Sequence, residues 1–107
     1  MDQSNFKDLI DRSLTIRERY HELEQKFHGN KWSIEEDALA FLTDAGLVGR
    51  LTMSQQGSWP KGDETNYELE HKLGECLWWL IILAKRMDID IQQATEDFLT
   101  KTEKLLK

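Results

Sequence analysis

The sequence predicts an all-α fold, a bundle of about four helices formed as one domain over residues 1–107. Three observations predict it. Apolar residues recur at helical spacing through most of the chain. Six glycines and a single proline are too few for a loop-rich or all-β protein. From Cys76 to Ala84 no side chain is polar beyond an indole or thiol edge, and a helix apolar all round must be enclosed by its own chain or by a second copy. That run is far shorter than the ~20 residues needed to cross a bilayer. It therefore marks the central helix of the bundle.

The elements follow in order. Phe6, Leu9, Ile10, Ile16, Tyr20, Leu23 and Phe27 form one apolar stripe on a helix over about 5–28, which Gly29 and Asn30 end. Ser33 and Glu36 have capping-box spacing and start a second helix that runs to about Gln56. Leu39, Leu42, Gly46, Gly49 and Met53 make one expected inward stripe, the glycines implying a close backbone approach. Ala40, Asp44, Leu47 and Leu51 make another, which places the Asp44 carboxylate among apolar neighbours where it needs a partner. Residues 57–64 are a loop broken by Trp59-Pro60 and Gly62. Thr65 and Glu68 have the spacing of a second capping box, opening the central helix over 65–87. Asp90 is the expected N-cap of a last helix over about 91–106, with Ile91, Ala94, Phe98 and Leu105 inward.

Composition narrows the function classes. A net charge of −6 argues against nucleic acid and anionic membranes as partners, because phosphate backbones require a basic patch. A free nucleotide stays open, since a bound cation can neutralise its phosphates. Cys76 is the only cysteine, so no internal disulfide forms. That suits a reducing compartment, and the N-terminus lacks the basic and apolar regions of a signal peptide, so a cytoplasmic protein is expected.

On the central helix Glu68, Lys72, Glu75 and Trp79 share one stripe, and His71 lies one turn before Glu75. If that stripe faces Asp44, carboxylates from two helices converge, the kind of oxygen donor set that Mg²⁺ uses to orient a nucleotide and activate water. The same spacings equally describe ordinary surface ion pairs, Glu68 with Lys72 and Lys72 with Glu75. Glu68-x-x-His71 also matches half of a di-iron bundle signature, but no second copy exists in the chain. Trp59, in a loop beside Pro60, is a candidate lid over a ligand, and Lys61 next to it a candidate phosphate contact.

Two stretches carry a family resemblance. HKLGECLWWLIILAKRMDIDIQQA (71–94) resembles the pattern E-L-x-D-V-L-W-Y-L-x-x-L-A-x-x-x-x-I-D-L-x-x-A, and FLTDAGLVGRL (41–51) one of the kind L-x-E-E-x-G-E-L. Both patterns are those of the MazG-like all-α nucleotide pyrophosphohydrolases, which the chain resembles in these stretches. The resemblance implies a helical homodimer or higher homo-oligomer. It also implies cleavage of nucleoside triphosphates to monophosphate and pyrophosphate, with Mg²⁺, or Mn²⁺, held by an E-E-x-x-E…E-x-x-D set.

Carried over residue by residue, that set falls on Thr43, Asp44 and Leu47, and then on Lys72 and Glu75. Asp44 and Glu75 alone keep carboxylates, leaving Glu68, Asp37 and Glu36 as possible supporting ligands and Lys72, His71, Trp59 and Lys61 as possible substrate contacts. Three readings stay open: a pyrophosphohydrolase of weakened or lost activity, a non-catalytic module of the same fold that binds a nucleotide or a protein, and a purely structural helical dimer, which requires only the hydrophobic pattern. Physically, Lys72 is placed to supply its ammonium where a cation would sit, predicting an Asp44–Lys72–Glu75 ion-pair cluster.

Overall fold

The computed structural model describes residues 5–60 and 62–107. Over these residues the chain is all-α, with four helices and no strand: α1 (Phe6–His28), α2 (Ile34–Gln55), α3 (Thr65–Arg86) and α4 (Ile91–Leu106). Among the described residues no helix is long and apolar enough to cross a membrane.

The helix ends follow local chemistry. Asn5 caps α1 by accepting from the Asp8 amide, and Gly29 closes it in the left-handed region at φ 83°, its N–H donating to the Gln25 carbonyl. The Ser33–Glu36 capping box forms in both directions, at 3.1 and 2.8 Å. Helix α2 ends in a Schellman turn: Gly57, at φ 87°, donates to Ser54, and Ser58 donates to Met53. The same motif ends α3, where Asp88 adopts φ 59° and Ile89 donates to the Ala84 carbonyl at 2.8 Å. Asp90 then caps α4 through the Gln93 amide. The expected Thr65–Glu68 box does not form. The Thr65 hydroxyl is buried and committed to both backbone groups of Gly62, so it ties the loop to the helix start.

Two compact units are present, one of residues up to Lys31 together with Ile81–Lys107, the other of Trp32–Leu80. The first unit holds the densest part of the core. Ile81, Ile82, Leu83 and Ala84 are buried on consecutive positions, Ile82 at 1% exposure. Four consecutive buried residues occupy every side of a helical turn, so this part of α3 is enclosed as its all-round apolar character predicts. Helix α1 meets its own unit through Ile10, Ser13, Leu14, Arg17, His21 and Glu24. Of the stripe expected there, Phe6, Ile10 and Leu23 are half-buried, while Leu9, Ile16, Tyr20 and Phe27 are exposed. Instead the buried Arg17 donates to Glu24 at 2.8 Å, the two side chains 5% and 14% exposed. Helix α4 buries no residue within the chain, and Ala94, Phe98 and Leu105, expected inward, are exposed.

In the second unit, α2 buries Asp37, Asp44 and Ser54, with Ala40, Phe41, Val48 and Leu51 half-buried beside them. This is the second of the two expected stripes, except that Leu47, expected inward with it, is exposed. The first is exposed: Leu39, Leu42 and Met53 face solvent, and a Cβ built on Gly46 or Gly49 would meet nothing within 4 Å. Among the described residues no close backbone approach accounts for those glycines. On α3 the exposed leucines Leu73, Leu77 and Leu80 lie at i, i+4 and i+7, so the lower part of the apolar run is left open where enclosure was expected.

Candidate functional site

Asp44 is the centre of the second unit's chemistry. It lies at mid-helix on α2, one turn after Ala40 and one before Val48, on the face that α2 turns toward α3. Lys72 and Trp79 lie two turns apart on α3, so both reach Asp44 from one stripe. The Lys72 Nζ donates to Asp44 Oδ1 at 3.1 Å and to Glu75 Oε1 at 2.9 Å. The Trp79 indole Nε1 donates to Asp44 Oδ2 at 2.9 Å. Both carboxylate oxygens of Asp44 are therefore engaged, and the predicted Asp44–Lys72–Glu75 cluster is present.

The electrostatics follow from that geometry. Burial raises the Asp44 pKa, but the hydrogen bonds from Lys72 and Trp79 and the ammonium charge outweigh it, leaving the carboxyl below its ordinary value. The Lys72 ammonium is held above its ordinary value by its hydrogen bonds to Glu75 and Asp44. Burial, then the Asp44 and Glu75 charges, push the Cys76 thiol up, so it is a poor nucleophile.

The remaining candidates are scattered. His71 Nε2 is 3.7 Å from Glu75 Oε1, beyond hydrogen-bond reach. Glu36 is used in the α2 cap. Asp37 is fully buried, one of the two most enclosed side chains described. Glu68 is exposed and, with His71, Lys72 and Tyr67, lines a cavity of about 290 Å³ whose other wall is Leu47, Arg50 and Leu51. Trp59 carries the Arg50 guanidinium 4.4 Å from its ring centroid, a cation–π contact. Lys61 lies outside the described residues.

A divalent cation does not fit this donor set. Asp44 spends one oxygen on an ammonium and the other on an indole N–H. The Thr43 hydroxyl donates back to the Leu39 carbonyl, and Leu47 has no donor atom to offer. Among the described residues no three His, Cys, Asp or Glu side chains gather closely enough to hold a metal ion. Sequence reasoning missed Arg50 as a lining residue and Ser54, whose hydroxyl donates to the Pro60 carbonyl at 3.0 Å and anchors the loop bearing Trp59. Ser54 lies one helical repeat after Leu47 and three residues after Leu51, so the inward stripe already noted, extended by one turn, reaches it. No family model, no curated protein and no solved structure matches this chain.

Proposed function

We propose that this chain is a MazG-like nucleotide-binding module in which the Lys72 ammonium stands where the hydrolytic members of that family hold a cation, so that metal-dependent release of pyrophosphate is lost. The observation that carries the reading is the position of Lys72 Nζ, in contact with both surviving carboxylates of the family motif. A lysine there cannot activate water as a metal ion does, because its charge is already spent on Asp44 and Glu75. The adjoining cavity supports a ligand of nucleotide chemistry. Its Arg50 and His71 suit phosphate oxygens, Tyr67 offers a stacking face, and its volume is close to the lower bound for small-molecule sites. The exposed Leu73, Leu77 and Leu80 support a homodimer formed through the central helix.

The purified protein is to be incubated with standard and deoxy nucleoside triphosphates and Mg²⁺ or Mn²⁺. Pyrophosphate release and quenching of tryptophan fluorescence are then followed together. Quenching without pyrophosphate is the expected result. Pyrophosphate release that Asp44→Ala or Glu75→Ala abolishes would overturn it in favour of a working pyrophosphohydrolase. Neither quenching nor release would overturn nucleotide binding itself and leave a helical protein-binding module.

A further inference from the structure

Helix α2 leaves bare the face opposite its buried side. Leu39, Leu42 and Met53 are 63%, 64% and 46% exposed, and Gly46 and Gly49 lie among them with open space for a Cβ on each. Among the exposed positions from Ala38 to Met53 the only charged residue is Arg50, whose guanidinium lies over the Trp59 ring. Charged residues make up 32% of the chain, so a solvated helix face of this length would ordinarily carry several. Two mid-helix glycines weaken a helix that is merely solvated, because alanine serves better in the same open space. Where a second helix crosses, they let its backbone come close.

The order of residues along this face says what covers it. Leu42, Gly46, Gly49 and Met53 fall within about 60° of arc on the helix, and they read nearly alike in both directions from the midpoint between the glycines. A two-fold axis through that midpoint sets an antiparallel second copy in register: Gly46 against Gly49, Leu42 against Met53, Thr43 against Thr52. The Thr43 and Thr52 hydroxyls donate to the Leu39 and Val48 carbonyls of their own helix, so neither needs a partner across the contact. A two-fold contact demands such self-complementarity. We infer that α2 pairs antiparallel with α2 of a second copy, the glycines at the crossing and Leu42 packed on Met53 of the other chain.

Charge and area set the strength of this pairing. Copies of a chain with net charge −6 repel one another, and they meet with least repulsion on a face whose exposed positions from Ala38 to Met53 hold no carboxylate. Helix α2 has 22 residues. A strip of that length, about 33 Å, and about 10 Å wide gives roughly 330 Å² per copy, under half of the ~800 Å² that each partner of a standard interface gives up. The pairing is therefore weak and reversible, and it adds to the contact proposed through the α3 leucines as concentration rises. It does not rest on the nucleotide reading.

The test is site-directed cross-linking of the full chain carrying Cys76→Ala, which removes the native thiol. Leu42 and Met53 lie about 17 Å apart along α2, too far for a disulfide within one chain, so a bond between cysteines at these positions joins two copies. Leu42→Cys with Met53→Cys is expected to give disulfide-linked multimers on mild oxidation. Leu42→Cys alone is expected to give none, because the antiparallel register holds its two copies equally far apart. Sedimentation from micromolar to millimolar protein supplies a second readout, with the wild-type mass rising with concentration. Gly46→Ala with Gly49→Ala is expected to raise the melting temperature of the dilute protein and to weaken its association at high concentration about ten-fold, since the added methyls collide at the crossing. No cross-link from the double cysteine variant, a cross-link from Leu42→Cys alone, or an association indifferent to the alanines would each overturn the inference.

Discussion

The Trp79 indole donates to the Asp44 carboxylate across 35 residues of sequence, Nε1 to Oδ2 at 2.9 Å, in a buried bond. It fixes how α2 meets the lower half of α3, and it leaves Asp44 Oδ1 for Lys72. A buried carboxylate held by an indole and an ammonium is stable only while both donors remain. Most of what can be tested in this unit follows from that dependence.

Lys72→Ala should be destabilising because it strips the counter-charge from Asp44 without removing the charge. Breaking a fully buried pair costs about 3–5 kcal/mol, and the expected loss here is about 3 kcal/mol, at the lower end, because a quarter of the Lys72 side chain remains exposed. Urea unfolding measures it. The double variant Asp44→Asn with Lys72→Met should recover most of the loss, since no uncompensated charge then remains. Equal stability of the wild type and Lys72→Ala would show that the cluster holds nothing together.

The pH dependence has a defined window. The Asp44 pKa is lowered from 3.8, so its contribution is full above that value and fades as pH falls through the lower folded pKa. The Lys72 pKa is raised from 10.5, so its contribution is full below that value and is lost as pH climbs through the higher folded pKa. The cluster therefore supports the fold between these limits and contributes no slope near neutrality. His21, with a pKa lowered as that of Asp44 is, does give a slope near neutrality. Its lowered pKa makes the unfolded chain bind the extra proton first, so stability should fall as pH drops below its ordinary 6.5. Thermal melts from pH 5 to 8 should show this decline in the wild type and its absence in His21→Gln.

The termini of α1, α2 and α4 are legible in the sequence because caps are local. Asn5, Ser33 with Glu36, and Asp90 each satisfy backbone groups within one turn, so neighbouring residues decide the outcome. Thr65 shows the limit: its hydroxyl bonds both backbone groups of Gly62, while the Glu68 amide donates to the Glu64 carbonyl. Faces are less legible than ends. The inward place of Asp44 and its pairing with a lysine are legible because an isolated carboxylate on an apolar stripe needs a counter-charge. The stripe of Leu39, Leu42 and Met53 satisfied the same periodicity and is exposed, since spacing reports only that a face is apolar and not what covers it. Arg17 and His21 escaped notice for the converse reason. Polar residues at inward positions are read as a solvated face until their partners are known, and the Glu24 that pairs with Arg17 lies two turns on.

Metal response separates the lysine from a cation at the same place. Because the Lys72 ammonium already engages Asp44 and Glu75, millimolar Mg²⁺ or Mn²⁺ should leave the melting temperature of the wild type unchanged. In Lys72→Ala the two carboxylates lose that partner, and a divalent cation should now raise the melting temperature through binding to the folded state alone. Differential scanning fluorimetry with and without EDTA reads both. A metal-dependent rise in the wild type would show that the lysine yields to the cation.

The leucines of α3 distinguish burial within the chain from burial between copies. Ile82 is 1% exposed, so Ile82→Ala should cost about 3 kcal/mol at any protein concentration. Leu77 is 46% exposed in the single chain, and there Leu77→Ala should cost less than about 0.5 kcal/mol, as surface substitutions do. If a second copy covers Leu73, Leu77 and Leu80, the monomer exposure understates the role of Leu77. Leu77→Lys should then place a charge at the contact and shift sedimentation velocity from dimer to monomer, with a melting temperature that no longer depends on concentration. An unchanged sedimentation profile for Leu77→Lys would assign the dimer contact to another face, with the exposed Leu39, Leu42 and Met53 of α2 the next to substitute.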